Sequence, residues 1–355
     1  MTKIGVLTSG GDSPGMNAAV VSVARSAALY DMRLYGIKRG YNGLLRKHEN
    51  VTEDMEELDL DTVLDIADQP GTYLRTARCE EFKNPDVLAY AAENLRKMGV
   101  EGLVVIGGDG SFRGAADLCN LGIPCIGIPG TIDNDLAYTE MTLGYDSAVN
   151  VCVDSVRMIR ATSRSHDRVA VVEVMGRNCG DIALRTAMCT GAEMVVVPEH
   201  PWSVYEIADR INRLSERGNT RATVIVAEGV FKNKSMEPFD AYGYLRSHDS
   251  EYEKTHAANE EMNARMLAGV LRTMCKGSDA RATTLGYIQR GSAPSAYDAA
   301  FAFEAGHLAV RLLRDGITEQ VIGIRLGRVF NMPIEEALNK RTRFKRTLYE
   351  LVNSL

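Results

Sequence analysis

Short apolar runs that end in glycine turns and lead into helical patterns recur along this chain, and they constrain the fold more than any other feature. In the clearest copy, residues 103–106 form an apolar run too short for most helices, and residues 107–110 read Gly-Gly-Asp-Gly. The pattern predicts a buried strand that enters a glycine turn, with Ser111 capping the helix that follows.

Two further copies of this pattern predict a layered α/β fold. The first has a strand over residues 4–7, the turn Gly10-Gly11-Asp12 and a helix over 16–29. The second has a strand over 168–175 and a helix over 181–189, and it predicts the start of a second domain. No copy matches the Walker phosphate loop or the dinucleotide GxGxxG spacing, so neither a P-loop kinase nor a dehydrogenase is indicated.

A second segment brings carboxylates toward the turn at residues 107–110. A short strand over 125–128 ends in Pro-Gly and is followed by Thr131, Asp133 and Asp135. Glycine amides and a helix start suit a phosphate, and Asp109 is an oxygen ligand of the kind that magnesium prefers. The alternative interpretation is an ordinary tight turn beside an acidic loop.

Composition narrows the class of protein. The chain has 355 residues, 45% of them hydrophobic, and a formal net charge of −6, which fits two globular domains and argues against a nucleic-acid binder. Its seven cysteines form no CxxC pair, and no apolar run approaches the ~20 residues of a membrane span. We therefore expect a cytoplasmic protein without a membrane partner. Residues 231–258 are interpreted as a surface excursion, and the basic run 340–346 as a solvated face of one C-terminal helix over 334–351.

Five spaced motifs resemble those of the bacterial type of ATP-dependent phosphofructokinase family, in the same order along nearly the whole chain. They are Gly10-Gly11-Asp12, Gly107 to Ser111, Pro129 to Asp135, Val174 to Arg177, and Ile288 to Gly291.

The resemblance implies two similar three-layer α/β domains with the active site between them. The implied nucleotide-binding domain is 1–143 with 290–339, and the implied sugar-phosphate-binding domain is 144–289 with 340–355. The implied reaction transfers the γ-phosphoryl group of ATP to the 1-hydroxyl of fructose 6-phosphate with Mg²⁺, in a homo-oligomer that is usually a tetramer.

Carried over by matching motif, the implied site residues form three groups. The implied ATP-binding residues are Gly11, Tyr41, Arg78, Cys79, Gly108, Asp109, Gly110 and Ser111, with Asp109 as the metal ligand. The implied substrate-binding residues are Thr131, Asp133, Arg168, Met175, Gly176, Arg177, Glu228, Arg281, Tyr287 and Arg290, with Arg168 and Arg281 reaching from a neighbouring subunit. The implied catalytic residues are Asp133 as general base, Arg177 as charge stabiliser, and Thr131 and Asp135.

The chain also departs from the family pattern and leaves alternatives open. Tyr287 stands where most members have histidine, which puts the preference for the sugar phosphate in doubt. Gly110 and Gly130 favour ATP over pyrophosphate as donor, because pyrophosphate-dependent relatives carry aspartate and lysine there. The alternatives are a pyrophosphate-dependent enzyme, a lipid or NAD kinase related through the glycine turn alone, and a catalytically inactive nucleotide-sensing regulatory subunit.

Overall fold

The computed structural model describes residues 1–45, 54–232, 237–248, 262–275, 277, 279–341 and 344–354. These residues form two compact units. The first unit spans Met1–Ala148 with Arg290–Arg343, and the second spans Val149–Gln289 with Phe344–Leu355. The sequence predicted breaks after residues 143, 289 and 339, whereas the contacts divide after residues 148, 289 and 343.

Strands and helices alternate along most of the described chain. The strands are β1 (Lys3–Thr8), β2 (Arg33–Ile37), β3 (Met55–Glu57), β4 (Gly102–Gly107), β5 (Cys125–Pro129), β6 (Arg168–Val174), β7 (Met194–Val196), β8 (Thr223–Ala227), β9 (Asp279–Thr284), β10 (Gln320–Arg325) and β11 (Arg328–Pro333). The helices are α1 (Met16–Leu29), α2 (Leu60–Val63), α3 (Pro85–Lys97), α4 (Asp109–Asn120), α5 (Tyr145–Ser165), α6 (Asp181–Thr190), α7 (Val204–Glu216), α8 (Gly229–Lys232), α9 (Ala241–His248), α10 (Ala264–Met274), α11 (Ala296–Arg314), α12 (Ile334–Asn339) and α13 (Arg346–Val352).

The first unit is built on a seven-stranded sheet in the order β11-β10-β5-β4-β1-β2-β3. All neighbouring strands are parallel except the edge pairs β10–β11 and β2–β3, which are antiparallel. Every residue of β4 is buried, as expected of a parallel strand covered on both faces. One core cluster joins the sheet to α1 and α11, and another joins it to α3 and α4. This confirms the predicted α/β class.

The second unit is built on a four-stranded sheet in the order β7-β8-β6-β9, in which each neighbouring pair is parallel. Strands β7 and β8 are buried throughout. Helix α7 begins with a capping box, in which Ser203 and Glu206 each bond the other's backbone amide. The predicted helix over 181–189 is observed as α6, which directly follows the turn after β6.

Several local predictions were wrong for identifiable reasons. Ser111 does not cap α4, because the helix already begins at Asp109 with extended Gly108 at the cap position. The excursion at 231–258 is not a surface segment throughout, because its helix α9 buries Ala241 and Leu245. Residues 233–236 and 249–258 lie outside the described residues. The single C-terminal helix is two helices, since Lys340 is extended (ψ 142°) and ends α12.

The hairpin of β10 and β11 was missed altogether. Its turn consists of Leu326 and Gly327, both with left-handed φ (51° and 69°). Such two-residue turns are normally signalled by Asn-Gly or Asp-Gly, and leucine gives no such signal. Within the basic run, Lys340, Arg341 and Lys345 lie outside any helix, so the described part of the run does not form one helical face. Lys345 instead pairs with Asp181 at 2.7 Å.

Helices α1 and α11 approach each other closely enough that Gly306 has no room for a side chain. A Cβ atom there would lie 2.6 Å from Ser22 Cβ and 3.0 Å from the Ala19 carbonyl oxygen. Ser22 Oγ also donates to the Phe303 carbonyl at 2.5 Å across this crossing. One face of the seven-stranded sheet is thus covered by a pair of helices, α1 and α11, whose spacing depends on Gly306.

We predict that Gly306→Ala lowers the free energy of unfolding by about 1 to 2 kcal/mol. Overpacking typically costs about 1 to 3 kcal/mol, and three contacts of 3.0 Å or less place Gly306 in the upper part of that range. The gain of about 1 kcal/mol that alanine brings to a helix interior offsets part of this cost. Gly269→Ala in α10 is the matched control, because its nearest neighbours lie at an ordinary 3.4 Å. Urea unfolding would measure both variants, and equal stabilisation by the two would contradict the packing argument.

Candidate active site

Three turns lie together at the carboxyl ends of β1, β4 and β5. Ser9 N donates to the Ile106 carbonyl at 2.9 Å, and Gly130 N donates to the Gly107 carbonyl at 3.0 Å. A Cβ atom on Gly107 would lie 2.6 Å from the Ser9 carbonyl oxygen, so only glycine permits this approach. The structure therefore brings the glycine turns and the Thr131–Asp135 segment to one edge of the sheet.

The turn after β4 presents the start of α4. Asp109 lies in the first helical turn, where its carboxylate receives Arg113 Nε at 2.9 Å and Nη2 at 3.3 Å. Ser111 is buried and is the third residue of α4, three positions after the cap residue Gly108. A Cβ atom on Gly108 would lie 3.9 Å from Thr131 Cβ. Oxygen donors and backbone amides at a helix start are the chemistry that phosphates and magnesium require.

Gly110 and Gly130 differ in what surrounds them. Apart from its chain neighbours and the backbone of its own helix, no atom lies within 4 Å of the position of a Cβ on Gly110, and its φ is not left-handed. A Cβ on Gly130 would instead lie 2.9 Å from Met16 Cε and 3.0 Å from Ile106 Cγ2. Packing alone accounts for glycine at 130, whereas neither packing nor backbone conformation requires it at 110.

Tyr41 supports α4 from inside the unit. It is 3% exposed, its ring stacks on Phe82 with centroids 4.1 Å apart, and its hydroxyl donates to the Ser111 carbonyl at 2.5 Å. Burial raises the pKa of Tyr41 well above its usual value, which keeps the hydroxyl a hydrogen-bond donor. Tyr41 therefore contacts the start of α4, just after the glycine turn, from the buried side.

Arg78 and Cys79 follow a loop that is tied to the first turn. Gly10 N donates to the Ala77 carbonyl at 3.2 Å, and Thr76 Oγ1 donates to the Gly10 carbonyl at 3.1 Å. The side chain of Arg78 is exposed, and that of Cys79 is half-buried, where burial raises its thiol pKa. The loop thus places a cation next to the turn that carries Gly11.

The segment after β5 holds two carboxylates in different environments. Asp133 is 1% exposed, and its backbone amide donates to Thr131 Oγ1 at 3.2 Å. Asp135 is half-buried. In an extended chain the two side chains would point the same way, but Asn134 has a left-handed φ of 51° and breaks that alternation.

Arg290 lies against the first turn of the same unit. Its side chain is 11% exposed, and its Nη1 donates to the Asp12 carbonyl at 2.5 Å. A Cβ atom on Gly11 would lie 3.0 Å from this Nη1. Arg290 is therefore held by the loop that is also expected to line the nucleotide site.

The second unit carries the Met175-Gly176-Arg177 turn after β6. Glu228 receives the Arg177 amide at 3.0 Å and Lys232 Nζ at 2.5 Å. Burial alone would raise the pKa of Glu228, but these hydrogen bonds outweigh it and lower the pKa below its usual value. A Cβ atom on Gly229 would lie 1.9 Å from the Arg177 carbonyl oxygen, so that glycine fixes the position of the turn.

Arg168 and Arg281 share one carboxylate on neighbouring strands. Arg168 Nε lies 2.7 Å and Arg281 Nε 3.1 Å from oxygens of Asp279. Partial burial would raise the pKa of Asp279, but the two guanidinium groups lower it. Tyr287 follows in a 3-10 helix with 84% of its surface exposed.

Comparison with known proteins identifies the family. A sequence profile of the phosphofructokinase family matches residues 3–313. The chain belongs to the phosphofructokinase family. It is 43% identical to the ATP-dependent 6-phosphofructokinase of Clostridioides difficile, over 100% of this chain and 99% of that protein.

Solved phosphofructokinase structures share the fold. The chain from Saccharomyces cerevisiae is 31% identical with a TM-score of 0.78 over 95% of this chain, which spans only 45% of that longer chain. A pyrophosphate-dependent phosphofructokinase from Marinobacter aquaeolei is 20% identical with a TM-score of 0.78, over 98% of this chain and 86% of that one. At that identity the likeness shows the fold alone.

The predicted site residues of this phosphofructokinase divide between the two units. The first unit contains Gly11, Tyr41, Arg78, Cys79, Gly108 to Ser111, Thr131, Asp133, Asp135 and Arg290. The second unit contains Arg168, Met175 to Arg177, Glu228, Arg281 and Tyr287. No helix within the described ranges is long and apolar enough to cross a membrane. Over those same ranges, no group of three or more His, Cys, Asp and Glu side chains could hold a metal ion.

The sequence pattern assigns no role to Gln289, although this residue lies within the Ile288 to Gly291 motif. Its side chain is fully buried, with Oε1 accepting from Met175 N at 3.2 Å and Cys152 Sγ at 3.0 Å. Its Nε2 donates to the Gly286 carbonyl at 3.1 Å. Gln289 therefore joins the turn before Arg290 to the turn that carries Arg177.

We predict that Gln289→Met lowers the free energy of unfolding by about 1 to 3 kcal/mol, because the Met175 amide loses its acceptor in a water-poor site. Methionine preserves the length and apolar volume of the side chain, so the lost hydrogen bonds dominate. Gln69→Met is the control, since Gln69 is exposed and water can replace its bond. Unfolding in urea gives both values, and equal small effects would contradict this role for Gln289.

Proposed function

We propose that this chain is an ATP-dependent 6-phosphofructokinase that transfers the γ-phosphoryl group of ATP to the 1-hydroxyl of fructose 6-phosphate. The observation that carries the proposal is the backbone bond from Gly130 N to the Gly107 carbonyl, which sets the Thr131–Asp133 segment beside the glycine turn. One segment suits phosphate, and the other supplies a carboxylate to the acceptor. The curated relatives with this name cover the chain end to end.

In the proposed mechanism Asp133 is the general base. The bond from the γ-phosphorus to its bridging oxygen breaks, a bond forms to the sugar 1-oxygen, and the hydroxyl proton passes to the Asp133 carboxylate. Phosphoryl transfer requires mainly positioning and charge stabilisation, so a positioned carboxylate and nearby cations suffice. Arg177, assisted by Arg78, is proposed to stabilise charge on the transferring group, and Thr131 and Asp135 support the base.

Asp109 is the residue that would hold Mg²⁺. Its carboxylate is half exposed at the start of α4, and apart from the chain neighbours no side chain lies within 4 Å of the Cβ position on the adjacent Gly110. Magnesium typically binds through one or two carboxylates together with substrate phosphates, and this donor set fits that habit. When bound, the ion would neutralise phosphate charge, and Asp109 would exchange Arg113 for it.

The sugar phosphate is proposed to meet Arg290 and Tyr287 of one subunit and Arg168 and Arg281 of a neighbour. This requires an oligomer, for which we propose a tetramer. The shared carboxylate of Asp279 supports the idea, because it holds Arg168 and Arg281 side by side with a net positive charge. Two adjacent guanidinium groups are a typical phosphate ligand.

The reaction itself is tested by ADP release from the purified chain with MgATP and fructose 6-phosphate, with the sugar omitted as control. Sugar-dependent ADP release is expected. A parallel assay replaces ATP by pyrophosphate. Absence of turnover with both ATP and pyrophosphate would overturn the proposal in favour of an inactive nucleotide-binding protein. Turnover with pyrophosphate that equals or exceeds turnover with ATP would overturn the donor assignment.

We predict that Asp133→Ser and the isosteric Asp133→Asn each lower kcat by roughly 10² to 10⁴, since both remove the general base. The Michaelis constant for fructose 6-phosphate should change much less. Asp117→Asn, at an exposed position of α4, is the control and should leave kcat unchanged. Wild-type turnover in a folded Asp133→Asn variant would show that another group takes the proton.

We predict that Gly110→Asp raises the Michaelis constant for ATP by roughly 10² to 10³, while Gly110→Asn has a small effect. Two like charges about 4 Å apart repel by about 4 kcal/mol at an effective dielectric near 20, which is nearly a thousandfold in affinity. Both side chains fit, because no atom lies within 4 Å of the Cβ position. Equal effects of Asp and Asn in initial-rate assays would mean that size, not charge, excludes the nucleotide.

A further inference from the structure

Asp298 is a buried carboxylate that the proposed mechanism does not use. It is 1% exposed and lies in the first turn of α11. Its oxygens accept three hydrogen bonds, from Gly144 N at 2.8 Å, Ser147 N at 2.8 Å and Ser147 Oγ at 2.5 Å. A side chain of α11 therefore caps the start of α5.

The starts of the two helices are bound to each other in both directions. Ser295, the N-cap of α11, donates its amide to Ser147 Oγ at 2.8 Å and its hydroxyl to Asp146 Oδ2 at 2.7 Å. The Asp298 amide in turn donates to Ser295 Oγ at 3.2 Å. These bonds hold the first turn of α5 at a fixed place over the sheet.

The chain just before α5 is paired with the segment that carries the proposed base. Leu143 N donates to the Pro129 carbonyl at 2.7 Å, and Thr131 N donates to the Leu143 carbonyl at 3.2 Å. Thr142 Oγ1 donates to the Thr131 carbonyl at 2.6 Å, and Thr131 Oγ1 receives the Asp133 amide. Asp298 is thus linked to Asp133 through hydrogen bonds and the short backbone segments between them.

The same short segment packs against the chain that follows the first glycine turn. A Cβ atom on Gly144 would lie 2.6 Å from Ser13 Cβ and 2.9 Å from the Pro14 carbonyl oxygen. A Cβ atom on Gly15 would lie 2.7 Å from Leu143 Cδ1. Residues 142–144 are therefore confined between the 13–15 segment and the segment that begins at Pro129.

We propose that Asp298 is a positioning residue for the phosphoryl transfer, which fixes residues 142–147 and through them Thr131 and Asp133. The proposal rests on the proposed function for its catalytic consequence. A helix start needs no buried charge, since an exposed serine or asparagine caps it equally well. Burial raises the pKa of Asp298 to about 6, so the fold holds a costly carboxylate where it collects three donors.

The test compares Asp298→Asn and Asp298→Ala with Ser203→Ala at pH 8, where the Asp298 carboxylate is ionised. Ser203→Ala removes the N-cap of α7 in the second unit and controls for the loss of a helix cap alone. We expect kcat to fall about tenfold to a hundredfold, more for Ala than for Asn, as for misplacement of a catalytic group by about 1 Å. Ser203→Ala should lower the melting temperature and spare kcat.

Amide hydrogen exchange provides a readout that does not depend on the reaction. Protection of residues 129–147 should fall in Asp298→Asn and stay at the wild-type level in Ser203→Ala. Unchanged protection, or unchanged kcat in a folded Asp298→Ala variant, would overturn the proposal. If the wild type shows no turnover, the proposed function fails, and exchange alone then decides whether Asp298 fixes the segment.

If Asp298→Asn does not fold, Ser147→Ala replaces it, because this change removes one of the three donors and keeps both backbone amides. A smaller loss of protection over 129–147 and a smaller fall in kcat would support the proposal. Wild-type values of both in Ser147→Ala and in the Asp298 variants that fold would overturn it.

Discussion

The close approach of backbone at the carboxyl ends of β1, β4 and β5 is the constraint on which the proposed site depends. The backbone of Gly107 passes so near the Ser9 carbonyl oxygen that a Cβ atom on Gly107 would overlap it. The Gly130 amide donates a hydrogen bond to the Gly107 carbonyl. Parallel strands place these turns at one edge, and glycine lets them touch. Backbone geometry alone therefore brings the start of α4, which suits a phosphate, close to the segment that carries the buried Asp133 carboxylate.

Much of this could be predicted from the sequence because the strands are short, apolar and bounded by glycine. The α/β class, α1 and the strands before each turn follow from local patterns that tertiary contacts reinforce. The hairpin at Leu326-Gly327 and the break at Lys340 carried no such local signal, since leucine and lysine are ordinary in helices. The conformation of the hairpin turn is imposed by the antiparallel pairing of β10 with β11 rather than by local propensity.

The site residues show the same division. The turn at residues 107–110 predicts phosphate binding from the sequence alone, because glycine lets backbone amides approach an anion and aspartate can bind magnesium. The sequence gives no signal that Gln289 and Asp298 are buried, since a polar residue in a helical pattern is normally exposed to solvent. Only burial and hydrogen-bond partners more than a hundred residues away reveal their connections, for example from Gln289 to Met175 or from Asp298 to Gly144.

Charge pairing within each unit bears on how the proposed ligands would bind. Asp109 is paired with Arg113, Asp279 with Arg168 and Arg281, and Glu228 with Lys232. The Asp109–Arg113 pair is exposed, and exposed pairs contribute about 0 to 1 kcal/mol each, so replacing Arg113 by a metal ion costs little. The buried Asp298 is the opposite case, because a carboxylate with three donors in a dry site is expensive to disturb. The molecule thus combines exchangeable charges where ligands are proposed to enter with a fixed charge where the backbone must not move.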